Sequence, residues 1–161
     1  MKPWIASALV LAALPMLDLN VGFTGVSSLP DGLASKDGFR ILQKEFDAGS
    51  ASPVQIVVAH DPYSDEVATA IDRLTAALRR EPAFGVPKPM LVSDDDSIGL
   101  IEIPLAFDPQ SQGAYNAVRK LRREILPAVL GGADVRMLVG GRSADDVDFI
   151  TQLRKYQAPV I

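Results

Sequence analysis

The stretch Pro53-Val54-Gln55-Ile56-Val57-Val58-Ala59-His60-Asp61-Pro62-Tyr63-Ser64 sets the reading of the chain. Val54 to Ala59 is rich in β-branched residues and predicts a strand, which the turn residues His60 to Tyr63 then break. Ser64 is placed to cap a helix, and Val67, Ile71, Leu74 and Leu78 recur at i, i+4, i+7 and i+11 on one helical stripe. Arg73, Arg79, Arg80 and Glu81 fall on the wet side.

Outward from this unit the signals continue as strand, strand, helix, strand. A second strand is expected around Val86 to Val92, where Pro87 and Pro89 lack ladder donors and so assign it to a sheet edge. Asp94-Asp95-Asp96-Ser97 forms the hairpin turn. The third strand places Ile101, Ile103, Leu105 and Phe107 on one face, and Pro104 demands a bulge or an early end to pairing. A second helix over 110–130 carries Ala114, Val118, Leu121 and Ile125 inward, with Pro127 expected to kink or end it. The fourth strand, Val135 to Val139, stops at Gly140-Gly141. The order βαββαβ over residues 53–141 predicts an α+β, ferredoxin-like antiparallel sheet with helices on one face.

The 161 residues, 48% of them hydrophobic, suffice for one compact domain with extensions. The absence of cysteine excludes a disulfide scaffold and thiolate metal sites. A net charge of −4 gives no general attraction to nucleic acid, and the basic residues are not gathered with aromatics. The run Arg119 to Arg123 reads as a solvated helix face.

Residues 1–19 are almost wholly apolar from Ile5 to Leu17 and are expected to form a membrane-type helix, with Trp4 suited to the interface and Lys2 to the cytoplasmic end, so that it exits on the far side near Asp18. The run is short of the about 20 residues that a span needs, so a signal peptide or a buried helix competes with a truncated span. Residues 20–52 form a connector, with an alternating stretch from Asp18 to Phe23 and a helix capped by Ser35. Phe39, Leu42 and Phe46 give that helix an apolar stripe that must dock on something. Residues 142–161 begin a last helix with Ser143 as N-cap and Asp145 and Asp146 in its first turn, Val147, Phe149, Ile150 and Leu153 being apolar. The chain is expected to be cut at both ends.

Catalytic chemistry finds little to work with. His60 stands alone in a turn, away from any serine elbow. Asp94-Asp95-Asp96 lacks the spaced ligands of a calcium loop, and Gly140-Gly141-Arg142-Ser143 lacks the third glycine and the lysine of nucleotide loops. We expect no enzyme, no cofactor and no metal. Phe23, Met90 and Tyr115 are expected to pack in the core.

Several segments together resemble the extracytoplasmic porter domain of MMPL transporters, a branch of the resistance-nodulation-division (RND) superfamily. They are Ala13-Leu14-Pro15, Ser28-Leu29-Pro30 with Ser35 and Gly38, Leu42 to Phe46, Gly49, and Pro53 leading into Val57-Val58. Leu121-Arg122, Val139-Gly140-Gly141-Arg142-Ser143-Ala144 and Asp148 complete them. The resemblance implies a second-half porter domain in the bacterial inner membrane, on the extracytoplasmic side, with residues 142–161 leading to the next span. It implies a proton-driven exporter of lipids or hydrophobic compounds, with the remaining transmembrane helices and the other porter domain as partners. Gly140, Gly141, Ser143, Ala144 and Asp148 are then a structural turn motif rather than catalytic residues, and no proton-relay residue carries over. The alternative is a membrane-anchored, ferredoxin-like ligand-sensing domain. Ile98, Leu100, Pro104 and Ala106 make the second face of the third strand too apolar for plain exposure, so a flanking helix or another porter domain is expected to cover it.

Overall fold

The computed structural model describes residues 29–45 and 52–157. The expected membrane helix over 1–19, the strand-like stretch 18–23 and Phe46 lie outside them. Among the described residues no helix is long and apolar enough to cross a membrane.

Four strands form one antiparallel sheet in the order β2-β3-β1-β4: β1 Val54–Val58, β2 Leu91–Val92, β3 Gly99–Ile103 and β4 Met137–Gly140. The helices are α1 Ala34–Glu45, α2 Asp65–Leu78, α3 Gln112–Lys120, α4 Leu126–Leu130 and α5 Arg142–Gln157. A π-helical turn, Leu121–Ile125, joins α3 to α4. Strand order and crossover pattern are those of a ferredoxin-like fold, so the βαββαβ expectation holds.

The core follows from the two periods. Val54, Ile56 and Val58 of β1 and Ile101 and Ile103 of β3 face α2 and α3, where they meet Val67, Leu74, Leu78, Tyr115, Val118 and Leu121, all buried. The Ser64 hydroxyl accepts from the Val67 amide at 3.3 Å and so starts α2 as its sequence position foretells. Tyr115 is fully buried, and Met90 packs against the core.

Several boundaries differ from expectation. β2 is confined to Leu91–Val92, because Pro87 and Pro89 leave only intermittent donors along 83–90. What survives there is the Lys88 amide bonding Glu102 O, the Gly85 amide bonding Pro104 O, both at 2.8 Å, and the Ala106 amide bonding Ala83 O at 3.0 Å. β3 ends at Ile103, directly before Pro104. Beyond Pro104 the alternation decays, and Phe107 is 40% exposed rather than buried. The second helix starts at Gln112 rather than Gln110 and reaches Leu130 as expected, so of the two outcomes foreseen at Pro127 the helix does not end there. The π turn before it shifts the register, so that the Leu126 amide still bonds Leu121 O and the proline enters α4 near its first position. β4 is shifted toward the glycines, spanning 137–140.

Two caps also move. Ser35 lies inside α1, where Leu33 O accepts from the amides of Lys36 and Asp37. Ser143 lies in the first turn of α5, and Gly141 takes the capping place, its carbonyl accepting from Ala144 and Asp145. In α1, Phe39 is half-buried and Ile41 exposed.

Candidate functional site

Of the residues that carry the family resemblance, Pro53, Arg122, Val139 to Ala144 and Asp148 meet at the junction of β4 and α5, whereas Ser35 and Gly38 lie in α1. Gly141 has φ +96°, in the left-handed region, and a Cβ there would stand 2.7 Å from Pro53 O. That close approach lets β4 turn straight into α5 over the start of β1. Ser143 donates its hydroxyl to Pro109 O at 2.8 Å, fastening the first turn of α5 to the loop before α3. Ala144 is fully buried beside it, where a larger side chain has no room.

Asp148, one turn further along, meets the π turn. Arg122 donates through Nη1 to one oxygen of Asp148 and through Nη2 to the other at 2.9 Å. The same Nη2 donates to Val139 O at 2.7 Å. Such a planar fork is what a guanidinium supplies and an ammonium does not. The π turn widens the helix where Arg122 projects, so one side chain ties the sheet edge, the second helix and α5 together. Deeper in the same junction the buried Tyr115 hydroxyl lies 3.3 Å from Asp146 Oδ2, and Arg142 Nε stands 3.7 Å from Asp146 Oδ1. Gly140, Gly141, Ser143, Ala144 and Asp148 therefore form a clasp. The resemblance includes Leu121-Arg122, but nothing in the sequence pairs Arg122 with Asp148, because their 26-residue separation leaves no local spacing signal.

On the other face of the sheet, Pro104 is buried, Leu100 half-buried and Ile98 exposed. The register places Leu91 opposite Leu100, Leu100 opposite Val57, and Val57 opposite Leu138, so one apolar row crosses all four strands on the face away from α2 and α3. Leu91 is 61% exposed and Leu138 46%, with Val57 and Leu100 half-buried. The adjacent row is polar, with Gln55 opposite Glu102 and the Lys88 ammonium 3.0 Å from Glu102. Beside the outer edge of β4 lies a groove of about 420 Å³ lined by Arg122, Leu126, Pro127, Leu130, Met137 and Val139.

The remaining polar candidates are turns and ion pairs. The Asp95 carboxylate accepts from the hydroxyls of Ser93 and Ser97 at 2.6 and 2.8 Å, and these bonds hold it below its ordinary range. The Tyr63 hydroxyl donates to Asp96 at 3.0 Å, which together with the carboxylate charge raises its pKa. Lys120, expected to be free on the helix exterior, bonds Glu81 at 2.7 Å, and its pKa is raised by that bond. Among the described residues no group of three or more His, Cys, Asp or Glu side chains is arranged to hold a metal ion.

The α+β sheet is the architecture that the resemblance led us to expect. No family model matches the chain. It is 26% identical over 157 residues to the "Mycolic acid-containing lipids exporter MmpL11" of Mycolicibacterium smegmatis, covering 92% of this chain and 16% of that protein. It is 24% identical over 168 residues to the "Heme uptake protein MmpL11" of Mycobacterium tuberculosis H37Rv, covering 99% of this chain and 17% of that protein. It is 22% identical over 156 residues to the "Apo-petrobactin exporter" of Bacillus anthracis, with 91% and 20% covered. A solved structure titled "Mycobacterial membrane protein MmpL11D2" is 24% identical, with a TM-score of 0.41, and matches 55% of this chain and all of that one. The chain thus spans between a sixth and a fifth of the length of these curated relatives, and its resemblance to MMPL-type transporters holds along nearly all of its own length.

Proposed function

We propose that the chain is the extracytoplasmic porter domain of an MMPL-type exporter, with lipids or other hydrophobic compounds as cargo. The observation that carries this reading is the similarity to MmpL11 and apo-petrobactin export proteins over 91–99% of the chain. Support comes from the clasp, where resemblance residues scattered from Pro53 to Asp148 close around one turn.

In this reading the domain has no enzymatic role and cannot transport alone. Proton-driven work is done by membrane helices elsewhere in a longer polypeptide, and the domain shapes the route that cargo takes outside the bacterial inner membrane. The half-exposed apolar row on the open face is suited to such a route or to the second porter domain.

The test is the mass of the native polypeptide. An antibody raised against the folded domain should detect, in the membrane fraction of the source cell, a band several times heavier than 17.2 kDa. A band near 17 kDa would overturn the reading and leave a membrane-anchored sensing domain in its place.

A further inference from the structure

We draw no further inference here: the strongest candidate, the apolar row of Leu91, Leu100, Val57 and Leu138 on the face of the sheet away from α2 and α3, carries none, because nothing in the structure shows what covers it.

Discussion

Arg122 holds Asp148 through both arms of its guanidinium while the Nη2 arm also bonds Val139 O at 2.7 Å. A single side chain of the π turn therefore restrains both the last strand and the last helix. Its loss should be felt at both.

Arg122→Ala should lower stability by about 1–2 kcal/mol, combining a half-exposed ion pair with a lost bond to a strand carbonyl. Asp148→Asn removes only the ion pair and should cost less than about 1 kcal/mol. Arg122→Lys keeps the charge but not the fork, and should fall between the two. Urea melts of the three variants give the ranking, and equal losses for Arg122→Ala and Asp148→Asn would show that the Val139 bond contributes nothing.

The paired glycines should respond unequally. Gly141→Ala forces a side chain into the left-handed region and against Pro53 O, and should destabilise by about 1–3 kcal/mol or more. Gly140 has no positive φ and no atom within 4 Å of a built Cβ, so Gly140→Ala should change stability by less than about 1 kcal/mol. Thermal denaturation of the pair separates them.

Tyr115→Phe should cost about 1–2 kcal/mol, because it takes a hydroxyl from the buried carboxylate of Asp146. If the contact is energetic, the loss should shrink when Asp146→Asn is already present. A double-mutant cycle measures that coupling, and a value of zero would rule it out.

Acid should loosen the Asp94 to Ser97 hairpin turn. The Ser93 and Ser97 hydroxyls lower the Asp95 pKa from its ordinary 3.8. A depressed carboxylate contributes stability that is complete above its unfolded pKa and is lost as pH falls through the folded one. The amide signals of Ser97 and Ile98 should therefore hold steady down to pH 4 and move only below it. In Asp95→Asn that transition should be absent from the spectra.

The strands and helices of the domain were legible in the sequence because their signals are local. Alternation at 54–58 and 99–103, the 3.6-residue stripe of α2 and the capping Ser64 each need only a few neighbouring residues. Pro87 and Pro89 even assigned β2 to an edge, since a missing donor is a property of the residue itself.

Contacts between distant residues were decided by the tertiary structure alone. Ser143 has the chemistry of an N-cap, yet its hydroxyl goes to Pro109 O, 34 residues away. The basic run at 119–123 looked uniformly solvated, but Lys120 found Glu81 and Arg122 found Asp148. Pro127 carried a helix-ending signal that the π turn absorbed. The sequence by itself determined which backbone each segment favours and which side of it is apolar. Which strands pair, and which charge meets which, depended on register and packing between segments far apart in the chain, where no periodicity reaches.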